Sequence, residues 1–164
     1  MAHVEDHAHG QGGAPDPARP TDGGDAARML EAVHAFLRTP RPDLEATMVT
    51  ALRDASYLAV VIYDPPLPPG NDGGATIPAG TTMRFRGRLA PDGKQLLAVY
   101  SDLAAVRKDL PGHPVQTTVL TAERMVTFAL HPPHAGAVLN PAGPYLELRA
   151  PELRKIVPDL VPAG

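Results

Sequence analysis

Cysteine is absent from the chain, which excludes disulfides, thiolate zinc sites and cysteine nucleophiles and leaves the redox compartment open. Tryptophan is absent too and aromatics make up only 4%, so a core has to be built from Leu, Val, Ile, Met and Ala. No apolar run approaches the roughly 20 residues of a membrane-spanning helix. The opening MAHVEDHAHGQGG lacks the basic start and apolar stretch of a signal peptide. The expectation is a soluble cytoplasmic protein with no membrane partner. A formal net charge of −3 gives no field for nucleic acid, and acidic blocks are missing as well. Only Ser56 and Ser101 could serve as serine nucleophiles, and neither sits in Gly-x-Ser-x-Gly. There is no Walker loop and no Gly-x-Gly-x-x-Gly; Gly70 to Gly74 lacks the lysine and following helix of a phosphate cradle.

What is present is an ordinary apolar share, 43% of 164 residues, enough for the core of one domain. Twenty prolines and fifteen glycines are clustered. Residues 1–24 hold almost no large apolar side chain and read as a disordered tail; the domain is expected over 25–158, with a short tail at 159–164. Asp25 is a plausible cap for a helix with Met29, Leu30, Val33, Phe36 and Leu37 at helical spacing, ended by Pro40. Asp43 can cap a second helix carrying Leu44, Met48, Val49 and Leu52, so an αα pair opens the domain. YLAVVIY, Tyr57 to Tyr63, is apolar without alternation and predicts a central strand. The Pro/Gly-rich stretch 64–82 predicts a long loop with an extended PPLPP core. MRFRGRL and QLLAVY flank Ala-Pro-Asp-Gly-Lys, a hairpin with a left-handed glycine. Ser101 is expected to cap a helix to Leu110. A strand over 115–119, a Thr121-capped helix, strands over 136–139 and 145–149 and a Pro151-started helix over 151–157 complete the count. The class is α/β (α+β) with a single mixed sheet.

Tyr100-Ser101-Asp102 leading into a helix, the Thr121-capped helix, and Gly136-Ala137-Val138-Leu139-Asn140-Pro141-Ala142-Gly143-Pro144 together resemble the N-terminal domain of the SseB family, named for enhanced serine sensitivity protein B. Leu146, Leu148, Glu152, Leu153 and Ile156 fit its strand-then-helix ending. The resemblance spans roughly residues 26–158, and its specific part is 97–157. It implies a small bacterial α/β domain, and it supplies no catalytic residues. The long loop after Tyr63 and the histidine-rich tail are departures from it.

Two groups of residues are candidates for interaction. Asn140, Pro141 and Gly143 build a turn in which the residue before proline is expected to be extended, Asn140 can accept a backbone N–H two residues on, and Gly143 can take positive φ. A fold-defining turn is a complete account of them, and a surface recognition loop is the second reading. Arg84, Arg86 and Arg88 alternate and should share one strand face. Read plainly, they solvate a strand or guard an edge. Read functionally, their guanidinium forks suit carboxylate or phosphate on a partner. Changing all three to Ala is expected to weaken partner capture with little effect on melting temperature.

No metal or cofactor is expected. His3, His7 and His9 form a flexible tail that binds metals adventitiously, and His131-Pro-Pro-His134 has no nearby carboxylate. The expected function is a non-catalytic protein-interaction or regulatory module with a protein partner. The rivals are a small enzyme combining His113, His131 and Glu147, and a secretion-accessory protein.

Overall fold

A strand that is apolar at every position has to be covered on both faces, and Tyr57 to Val61 are buried throughout. In the computed structural model of the protein, which describes residues 23–66 and 78–160, β1 (Ser56–Asp64) is the hub of a seven-stranded sheet. It pairs antiparallel with β2 (Thr82–Phe85), β4 (Gln95–Tyr100) and β5 (Gln116–Thr121). β3 (Gly87–Leu89) forms a hairpin with β4, and β7 (Leu146–Leu148) pairs antiparallel with β6 (His134–Leu139). The pairing of β4 with β6 is parallel, so the sheet is mixed and the class is α+β as expected.

Side-chain alternation along these strands divides the core in two. Tyr57 and Ala59, Leu97 and Val99, Ala137 and Leu139 point to one face. That face is covered by α1 (Gly23–Arg38), α2 (Pro42–Asp54), α4 (Ala122–Ala129) and α5 (Ala150–Ile156) through Met29, Val33, Met48, Leu52, Met125, Val126, Leu153 and Ile156. Leu58, Val60, Leu96, Ala98, Tyr100 and Val138 point the other way, where α3 (Leu103–Asp109) supplies Val106. Four helices thus lie on one face and one short helix on the other.

Several local expectations hold. Pro91-Asp92-Gly93 turns between β3 and β4 with Gly93 at φ 82°, its N–H donating to the Ala90 carbonyl at 2.9 Å. Thr121 caps α4 by accepting from the Arg124 N–H, and proline stands in the first turn of α5. Other expectations need correction. Asp25 does not cap α1, which already begins at Gly23, and lies in its first turn. Asp43 is likewise a first-turn residue of α2: Pro42 starts the helix, and Arg41 is the extended residue before it. Acidic side chains favour that turn through the helix dipole without capping. The first 22 residues, including His3, His7 and His9, the loop over 67–77 and the last four residues lie outside the described residues. Most of the expected tails, 1–24 and 159–164, and most of the 64–82 loop therefore fall there, while Gly23 and Gly24 already belong to α1.

MRFRGRL is not one uniform strand. It breaks at Arg86, where the chain leaves β1 and joins β4. The Arg86 N–H donates to the Val60 carbonyl at 2.9 Å, and its own carbonyl accepts from the Ala98 N–H at 3.0 Å. β1 and β4 pair directly at Leu58–Tyr100 and Ala59–Val99 and then diverge. The β2–β3 segment fills the fork between them, and Arg86 is its hinge point.

Candidate interaction surface

The parallel pair β4 and β6 ends side by side, β4 leading into α3 and β6 into the turn Asn140–Gly143. Ser101, on the first exit, is fully buried, and Asn140, on the second, is 7% exposed. They are bonded to each other. Asn140 Oδ1 accepts from the Ser101 N–H at 3.0 Å, and Asn140 Nδ2 donates to Ser101 Oγ at 3.1 Å. Ser101 Oγ in turn donates to Asp102 Oδ2 at 2.9 Å. The Asn140 N–H continues the ladder by donating to the Val99 carbonyl at 2.9 Å. An amide is the side chain suited to this position, because it satisfies a donor and an acceptor at once.

These contacts revise the reading of the turn. Asn140 is not extended: its φ is 52°, in the left-handed region that asparagine tolerates better than most residues. Its side chain does not bridge to its own turn but reaches across to Ser101. The preference that a following proline imposes is overridden by two buried hydrogen bonds. Ser101 is not the cap of α3 either. Asp102 takes that role, accepting from the Ala105 N–H at 2.8 Å, because the serine hydroxyl is enclosed in the contact with Asn140. Gly143 does take positive φ, 89°, and its N–H closes the turn on the Asn140 carbonyl at 2.8 Å.

The arginines lie along the sheet face that α3 covers. Arg84 lies across from Ile62 and Arg88 across from Leu96, which puts both on the face opposite Phe85. Phe85 packs into the helix-covered core, edge-on to Phe128 with centroids 4.8 Å apart. The hinge keeps Arg86 on that arginine face, where its Nε stands 3.5 Å from Asp109 Oδ2 at the end of α3. The same carboxylate, its side chain only 11% exposed, accepts from the Tyr100 hydroxyl at 2.6 Å. Burial first, and the Asp109 carboxylate second, push the Tyr100 phenol well above the usual tyrosine range. Arg88 Nη1 donates to the Pro141 carbonyl at 2.9 Å, and Lys108 Nζ donates to the Gly143 carbonyl at 3.0 Å. Arg88 and Lys108 therefore tie the turn, a separate candidate in the sequence, to the arginine-bearing surface, and Arg84 lies farther along that surface with no bond to the turn. The exposed members of the surface are Arg84, Arg88 and Lys108, with Tyr145 56% exposed just past the turn.

The three arginines are not equivalent. Arg84 is exposed and has no hydrogen bond or ion pair among the described residues. Arg86 and Arg88 are held by Asp109 and Pro141. Removing all three would therefore disturb the fold as well as the surface, contrary to the expectation of an unchanged melting temperature. Lys108 and Asp109 carried no signal in the sequence, and Tyr100 none for this contact, since Tyr100 and Asp109 stand nine residues apart and meet only because α3 folds back over the sheet.

The scattered histidines and Glu147 occupy three different places: His113 between α3 and β5, His131 between α4 and β6, Glu147 on β7. No hydrogen bond or ion pair joins any two of them among the described residues; Glu147 is paired with Arg149 at 3.3 Å. His134 is half-buried at the start of β6. Burial holds its imidazole below the usual range, opposed by a bond to the Phe128 carbonyl and reinforced by His131. The described residues contain no group of three His, Asp or Glu side chains arranged to hold a metal. None of the helices in the described residues is long and apolar enough to cross a membrane.

Compared with models of known protein families, residues 29–155 match the SseB protein N-terminal domain. Neither the curated proteins nor the solved structures give a match.

Proposed function

We propose that this chain, which belongs to the SseB N-terminal domain family, is a non-catalytic protein-interaction module that takes an acidic segment of a protein partner in the bacterial cytoplasm. The observation that carries the reading is the pair of bonds from Arg88 to Pro141 and from Lys108 to Gly143, which tie the rigid turn to the arginine-bearing face. Cations held by backbone carbonyls keep their charge and lose side-chain freedom, so a carboxylate that docks there has less ordering entropy to offset. The acid paired with Arg86 on this face, Asp109, is largely buried beneath the cations.

Arg84→Glu is the clean probe, because Arg84 is exposed and unpaired among the described residues. The full chain, tagged and used to capture proteins from its native host, should recover a partner that the variant loses, with both proteins melting within a degree or two of each other. Partner recovery by Arg84→Glu equal to that of the unmodified chain would show that binding, if any, uses another face.

A further inference from the structure

The sheet has two kinds of edge. β7 is three residues long and carries the Glu147–Arg149 ion pair, and β2 carries Arg84 on a four-residue strand. Short length and charge are the usual guards against edge-to-edge pairing. β5 has neither. It runs six residues, QTTVLT, in unbroken register with β1 from Ser56–Thr121 to Val61–Gln116. From Pro114 to Ala122 there is no ionisable side chain. Its outer side is unpaired among the described residues, and Gln116, Thr117 and Thr121 are exposed.

The backbone direction on that outer side follows from the fork at Arg86. The Val60 carbonyl points toward Arg86 and so away from β5. Thr117, the partner of Val60, therefore belongs to a pair without mutual backbone bonds and turns its own N–H and C=O outward. By alternation Val119 does the same, whereas the Thr121 carbonyl is taken up by the first turn of α4.

We propose that two copies of the chain associate through β5, antiparallel about a twofold axis at Thr118, to make one continuous sheet. This register sets Thr117 against the partner's Val119, both residues with outward backbone groups, and brings Val115 to the partner's Thr121. Thr118 meets the partner's Thr118 in a closely spaced pair without backbone bonds, and threonine pairs are favourable there. A twofold brings each residue near the axis against its own like, so charge at the centre would repel; this strand is uncharged. Its ends carry His113 and Glu123, and the antiparallel arrangement brings each Glu123 end beside the partner's His113 end. Val115, 37% exposed in the single chain, gains a cross-strand neighbour. The surface is distinct from the arginine face, so the two proposals stand or fall separately.

The chain contains no cysteine, and that makes the test direct. In the full-length Thr118→Cys variant under mild oxidation, the two thiols should face each other and give a disulfide-linked dimer many-fold faster than Thr47→Cys, an exposed position on α2. The unmodified chain should sediment at twice the protomer mass as concentration rises. Val119→Pro removes an outward N–H, leaves the β1–β5 ladder whole and should sediment as a folded monomer; Thr117→Lys should do the same by charge. A chain that stays at protomer mass throughout, or Thr118→Cys linking no faster than Thr47→Cys, overturns the dimer and leaves the edge to a strand of some other protein.

Discussion

Asn140 shows how a single side chain can set both a backbone conformation and the joining of two elements. Its φ of 52° and its two bonds to Ser101 are separable by substitution. Asn140→Gly keeps the conformation and loses the bonds; Asn140→Ala loses the bonds and adds the steric cost of a left-handed residue. Loss of the buried bond from the Ser101 N–H to Asn140 Oδ1 costs on the order of 1–3 kcal/mol, and the left-handed alanine adds about 1 kcal/mol. Denaturant unfolding should therefore rank the unmodified chain above Asn140→Gly and Asn140→Gly above Asn140→Ala. Equal stability of the two variants would mean that the conformation is not strained for alanine. The sequence named Asn140 as a turn residue on local grounds, which was half of its role. Its partner lies 39 residues away, and no local pattern specifies a contact at that range.

At the scale of elements, hydrophobic periodicity located every helix and strand in the described residues to within a few positions, because each has to bury one face or two. It did not foresee the break at Arg86, since alternation of arginine with other residues is the same whether the strand has one neighbour or changes from one to another. It also passed over the reason for glycine at 136. There φ is 139°, and a Cβ would stand 2.6 Å from the Leu148 carbonyl oxygen, immediately before the Ala137–Leu148 register begins. The obstacle is backbone, which cannot swing aside as a side chain can. Gly136→Ala should push β7 off β6 and cost on the order of 2–3 kcal/mol, read as a lower denaturation midpoint. Amide exchange should rise first at Leu146 to Leu148. Gly87→Ala is the control: there the atoms nearest the Cβ all belong to the Gln95 side chain, whose flexible end can move, and the loss should be smaller.

Across the whole molecule, four helices lie on one face and one on the other, and the larger core cluster sits beneath the four-helix layer. α5 closes that layer. Leu153 and Ile156 are buried against α2 and the sheet, and Arg53 of α2 donates to the carbonyls of Ile156 at 2.8 Å and Lys155 at 3.0 Å, satisfying the last turn of α5. Lys155 also pairs with Glu45, though an exposed ion pair adds little. The sequence showed α5 as an amphipathic turn or two beginning at proline, but nothing in it told that α5 packs beside α2, more than a hundred residues earlier; only the sheet order brings them together. Ending the chain at Arg149 would expose the surfaces that Leu153 and Ile156 cover, each worth about 1.5–3 kcal/mol, and would leave Arg53 without its acceptors. Against a total stability of roughly 5–15 kcal/mol for a domain, that loss should abolish or broaden the cooperative thermal transition and admit dye to the exposed core. Arg53→Met alone keeps the apolar burial and removes the two carbonyl bonds, so it should lower the melting temperature while preserving a single sharp transition. A truncated chain that melts as sharply and as high as the full one would show that α5 rests on the core without holding it.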